Sequence, residues 1–114
     1  MRLPVSLHTI GDPWRPGISK NVSAEGGFVL TDGPFSLSSD VEWVLRLSPA
    51  LTKAKQPLIV LCYGIVLRCE NVHEGDFSFG IALRSRDCRY LPKDEAARFG
   101  AMFEEIEIWT TATK

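Results

Sequence analysis

From Leu58 to Cys69 the chain is almost continuously apolar and rich in β-branched residues, and no other stretch limits the possible folds as much. Such a run suits a strand covered on both faces, and its length requires a bend if it is to stay within a small domain. Gly64 is the natural bend, because a glycine inside a strand marks a bulge or a barrel corner. After a polar connection over Glu70 to Asp76, Phe77, Phe79, Ile81 and Leu83 alternate with Ser78, Gly80, Ala82 and Arg84. This second strand can continue through Arg86 and Cys88 to Tyr90. Two long adjacent strands with a short loop between them make a hairpin, and the remaining segments have to close around it.

Those segments are also of β type. Leu3, Val5 and Leu7 alternate with Pro4, Ser6 and His8, and Val41, Trp43, Leu45 and Leu47 alternate with Glu42, Val44 and Arg46. Ile18 to Ser23 and Gly27 to Thr31 read as two strands around a sharp corner, with Gly11-Asp12-Pro13, Pro16-Gly17 and Asp32-Gly33-Pro34 as turns. Ser48 to Pro57 reads as a loop. After Pro92 the period changes: Ala96, Phe99, Met102, Phe103, Ile106 and Trp109 follow helical spacing, with Asp94 and Glu95 in the first turn. The expectation is mainly β: a small antiparallel barrel of six or seven strands over about 2–91, with one amphipathic C-terminal helix over 93–107, all in a single domain. The helix should pack on the sheet or close one end of the barrel.

Composition narrows the function classes. With 114 residues, 45% hydrophobic and 24% charged, the chain has the make-up of one ordinary globular domain. A net charge of −1 supplies no general attraction to nucleic acid or to an anionic membrane. The longest apolar run, Leu58 to Leu67, is too short to span a bilayer, and the first residues lack the apolar core of a secretory signal. Three cysteines without metal-type spacing argue against a disulfide scaffold and for a reducing compartment. A cytoplasmic, non-inserting domain is expected.

The chemistry concentrates at Asn21-Val22-Ser23-Ala24-Glu25-Gly26-Gly27, before Phe28-Val29-Leu30. Asn21 and Ser23 stand two apart, on one face of an extended strand, and the paired glycines allow φ > 0 or a close approach of another group. The same residue types also serve a plain strand-ending turn. Other candidates are thinner. His8, His73, Cys62, Cys69 and Cys88 lack zinc-type spacing, and Cys62 and Cys69, seven apart, face opposite ways in one regular strand. No G-x-S-x-G elbow, Walker loop or G-x-G-x-x-G occurs, which argues against an enzyme. Arg68, Arg84, Arg86 and Arg89 could line an anion-binding stripe, or simply be solvated. The aromatic residues Trp14, Trp43, Phe77, Phe79 and Trp109 are at spacings that suit core positions better than base stacking.

Taken together, the segments resemble the PilZ domain, the bacterial receptor module for cyclic di-GMP. That family carries Asp or Asn, any residue, Ser, any two residues, then Gly, which is matched by Asn21-Val22-Ser23-Ala24-Glu25-Gly26. The likeness extends through Gly27-Phe28-Val29-Leu30, through Gly64-Ile65-Val66-Leu67-Arg68, and through Phe79-Gly80-Ile81-Ala82-Leu83, and so covers roughly residues 2–91.

The resemblance implies binding rather than catalysis, with cyclic di-GMP as ligand, no separate cofactor or metal, and a protein effector as the partner of the liganded domain. Asn21 and Ser23 would hydrogen-bond the ligand and Gly26 would leave room for it. The family's N-terminal segment has two arginines separated by three residues; here only Arg2 matches, and its partner would fall before Met1. A charge-assisted phosphate contact contributes about 1.5–3 kcal/mol, so one missing arginine weakens binding roughly 10- to 150-fold. A degenerate member that binds proteins and no dinucleotide is therefore the alternative expectation.

Overall fold

The computed structural model describes residues 2–48, 58–99 and 103. Six antiparallel strands, β1 (Pro4–Thr9), β2 (Arg15–Ser23), β3 (Gly26–Thr31), β4 (Asp40–Leu47), β5 (Leu58–Glu74) and β6 (Phe77–Tyr90), close into a barrel in the order β1-β2-β3-β6-β5-β4. Closure gives each strand a partner on both sides over part of its length, while the ends of the longer β5 and β6 pair only with each other. The expected architecture is present, with six strands and a short C-terminal helix, α1 (Lys93–Ala96), continued by a 3-10 turn at Ala97–Phe99. The rest of the helix expected to reach residue 107, and the expected loop beyond Ser48, lie outside the described residues apart from Phe103.

Alternation sorts the side chains into two layers. Val5, Leu7, Val41, Trp43, Val66 and Ile81 point inward and form the core. On the outside of β4 and β5, Val44 and Ile59 are buried under Phe99 and Phe103, with Trp14, Leu61 and Leu91 around them. The C-terminal segment thus packs on the outer wall of the barrel. His8 joins this layer: its ring stacks on Trp14 at 3.8 Å between centroids, and Trp14 meets Phe99 edge-on at 5.3 Å. The His8 ring nitrogens are hydrogen-bonded to the Asp12 carbonyl at 2.8 Å and to Glu42 Oε1 at 2.9 Å.

Three details differ from the pattern read along the chain. Pro16-Gly17 is strand, not turn: Pro16 pairs with Ser6 and Gly17 with Val5, and the Pro16 carbonyl accepts a 2.9 Å hydrogen bond from Thr31 Oγ1. Gly17 is needed because its Cβ would press on the Leu30 carbonyl. The polar stretch after Cys69 is strand as well, since β5 runs to Glu74 and only Gly75-Asp76 turn the hairpin, with Gly75 at φ +59°. Finally, Cys62 and Cys69 face the same way, and both pack on the core. The register slips between Val66 and Arg68, so Leu67 is an extra residue that resets the alternation. A second slip lies between Tyr63 and Gly64, where β6 and not β5 carries the extra residue, Arg86.

Candidate functional site

The corner at Asn21 to Gly27 is a tight hairpin. Ser23 pairs with Gly26, leaving Ala24 and Glu25 as the turn. Ser23 Oγ accepts from the Glu25 amide at 3.3 Å. Ser85 on β6 clamps the corner from the side: its amide donates to the Glu25 carbonyl at 2.8 Å and its hydroxyl donates to the Ala24 carbonyl. Gly26, at φ +150°, has a backbone reason to be glycine, because a Cβ there would collide with the Leu83 carbonyl. The side on which a Cβ would project is filled by the backbone of β6.

Just before the corner the register of β2 slips between Ser19 and Asn21, so Lys20 is the extra residue and Asn21 is turned to the outer face. From there a single row crosses four strands: Asn21 pairs with Phe28, Phe28 with Ala82, and Ala82 with Arg68. Ala82 is the shortest side chain in this row, so the outer wall is hollow between Phe28 and Arg68. The result is an open cleft of about 680 Å³. Its walls include Lys20, Asn21, Ser23, Gly26, Phe28 and Arg68, with the carboxylates Glu25 and Glu70 also lining it. That volume lies within the range of roughly 300–1,000 Å³ found for small-molecule sites. The Phe28 ring lies over Gly80, where a Cβ would strike it, so Gly80 sets how low the ring can lie on the barrel wall.

Both cations of the cleft are held by carboxylates at its rim. Arg68 is paired with Glu70, and Lys20 Nζ donates to Glu74 Oε1 at 2.6 Å. The second oxygen of Glu74 takes Arg2 Nη2 at 3.3 Å. The Lys20 hydrogen bond, with a smaller contribution from Arg2, holds the Glu74 carboxyl below its ordinary range. The chain start is tied down next to them, since Leu3 and Ser19 exchange two hydrogen bonds of 2.9 Å, from the Leu3 amide to Ser19 Oγ and from the Ser19 amide to the Leu3 carbonyl.

Of the four residues singled out from the sequence, Asn21, Ser23 and Gly26 line one cleft. Arg2 does not line it; it stands one residue away, joined through Glu74 to Lys20. Lys20, Glu25, Glu70, Glu74 and Ser85 were not legible as site residues, because their roles depend on register slips and on strands distant in sequence. The arginine stripe is dispersed: Arg68 lies in the cleft, whereas Arg89 pairs with Glu95 of α1 at 3.2 Å. Trp43 is core and Trp14 stacks on His8 and meets Phe99 edge-on, while Trp109 lies outside the described residues. Among the described residues no three His, Cys, Asp or Glu side chains gather as metal ligands, and no helix is long and apolar enough to cross a membrane. Comparison with models of protein families, with curated proteins and with solved structures found no match to this chain.

Proposed function

We propose that this chain is a PilZ-type receptor domain that binds cyclic di-GMP in the outer cleft and relays its level to a partner protein. One observation carries the reading: the motif residues Asn21, Ser23 and Gly26 line the same cleft as two cations and an aromatic ring, Lys20, Arg68 and Phe28. Amide and hydroxyl groups suit the hydrogen-bonding edge of a base, cations suit phosphates, and an aromatic face suits stacking.

Binding is an exchange of anions. In the structure Glu74 is paired with Arg2 and Lys20, and Glu70 with Arg68. Exposed ion pairs of this kind contribute little because water screens them, whereas charge-assisted contacts to phosphate are among the stronger polar interactions. A phosphate therefore wins Arg2 and Lys20 from Glu74. The arm before β1 then turns toward the cleft and alters the surface offered to a partner.

Calorimetry with cyclic di-GMP tests this, on protein carrying any native residues upstream of Met1. Saturable binding that Asn21→Ala and Arg68→Ala each weaken at least tenfold is expected. Undetectable heat at high micromolar ligand, with the fold intact, rejects it.

A second reading, a PilZ-like module that binds proteins only, is favoured by the pairing of Arg2 with Glu74, which gives the one matching arginine a structural role. It requires that no dinucleotide binding be measurable in the same titration.

A further inference from the structure

Away from the cleft, β5 and β6 set two cysteines directly opposite each other: Cys62 pairs with Cys88. Opposed residues of an antiparallel ladder have Cα atoms about 4.5 or 5.5 Å apart, and both values fall within the span of about 4.4–6.8 Å that disulfides occupy. Opposed residues also share a face of the sheet, so the Cys62 and Cys88 side chains project to the same side. All three cysteines of the chain are free thiols. Access is asymmetric, because Cys62 is 3% exposed in the core while Cys88 lies open at the end of the barrel. Cys69 does not compete, since its opposite residue on β6 is Ile81.

We infer that Cys62 and Cys88 form a cross-strand disulfide when the protein meets a peroxide, making the end of the barrel next to the C-terminal helix a site of reversible oxidation. The Cys88 thiolate attacks one peroxide oxygen; an S–O bond forms, the O–O bond breaks, and the leaving hydroxide is protonated to water. The Cys62 sulfur then attacks the resulting sulfenic sulfur. The S–S bond forms, the S–O bond breaks, and the departing hydroxide takes the Cys62 proton as a second water. Two thiols lose two electrons and two protons, and hydrogen peroxide is reduced to two waters.

Burial first, and then the Cys88 thiol and Asp87 beside it, push the Cys62 thiol well above the ordinary thiol range. Because the thiolate is the nucleophile, closure by Cys62 is the slow step and quickens as pH rises. The bond joins the strands just before the Leu91 amide donates to the Ile59 carbonyl at 2.8 Å and before Arg89 reaches Glu95. Oxidation therefore pins the root of α1 to the barrel.

The test uses the folded chain and hydrogen peroxide, followed by alkylation in denaturant and non-reducing tryptic mapping. Cleavage after Arg68 and Arg86 puts the three cysteines on separate peptides. The expected product joins the Cys62 and Cys88 peptides with loss of two hydrogen atoms, reverts with dithiothreitol, and leaves Cys69 alkylated. Its closure should speed up with pH, Cys88→Ser should leave Cys62 alkylatable, and Cys69→Ser should change nothing. A Cys62 that stays alkylatable while Cys88 is overoxidised, or a bond through Cys69 or between two molecules, overturns the inference.

Discussion

The carbonyl of Leu83 stands where the Cβ of any other residue at Gly26 would have to go, and Gly26 itself is at φ +150°. The last residue of the motif is thus a requirement of strand pairing before it is anything else. Two penalties add for Gly26→Ala: a backbone conformation that L residues disfavour, and a clash with backbone that cannot swing aside. Together they cost roughly 2–4 kcal/mol. Urea unfolding should register that loss, and lost ligand binding in this variant reports on the fold. Unchanged stability would mean that β3 and β6 do not approach as described.

Ala82→Leu separates site from fold. Ala82 sits between Phe28 and Arg68 in the outer row and is only half-buried, so a larger side chain enters the cleft rather than the core. The expected result is a midpoint within a few degrees of the parent and dinucleotide affinity reduced at least tenfold. Retained affinity would exclude this cleft as the binding site.

Glu74→Gln removes the anion that competes for Arg2 and Lys20. Stability should stay close to that of the parent, because the pairs are exposed and screened by water. If phosphate takes the same two cations, affinity for cyclic di-GMP rises by a few-fold. Weaker binding in this variant would mean that Glu74 contacts the ligand instead of competing with it.

The same carboxylate has a pH signature. A lowered folded-state pKa means that Glu74 favours folding when ionised, so its contribution is present above the ordinary value of 4.5 and disappears as pH falls through the lower folded value. Carbon-detected NMR titration of the side chain should place its midpoint below 4.5, and Lys20→Met should move it up toward that value. An unchanged midpoint in Lys20→Met would show that the 2.6 Å hydrogen bond is not what lowers it.

Much of the barrel is written in local periodicity. The alternation of Leu3, Val5 and Leu7, of Val41, Trp43 and Leu45, and of Phe77, Phe79 and Ile81 is what a closed sheet with one core needs, and all but Leu3, which directly precedes β1, lie in strands of that sheet. Register is not local. A single extra residue at Leu67 or Lys20 turns the side chains that directly follow it to the other face, and nothing near either position marks it. That is why Cys69 turned inward unforeseen. It is also why Pro16-Gly17, read as a turn by composition, lies in a strand: pairing with Ser6 and Val5 outweighs the turn preference.

The sequence by itself determined that this chain is a sheet folded around an apolar core, and that Asn21 and Ser23 stand two apart before a glycine corner. Hydrophobic alternation and glycine spacing depend on neighbours along the chain and can be read there. Only the tertiary structure decided that Asn21 and Arg68 belong to one row, that Ala82 leaves the hollow between them, that Glu74 pairs with Arg2, and that Cys62 faces Cys88. Each of those relations is set by strand register, which depends on how distant segments pack against each other.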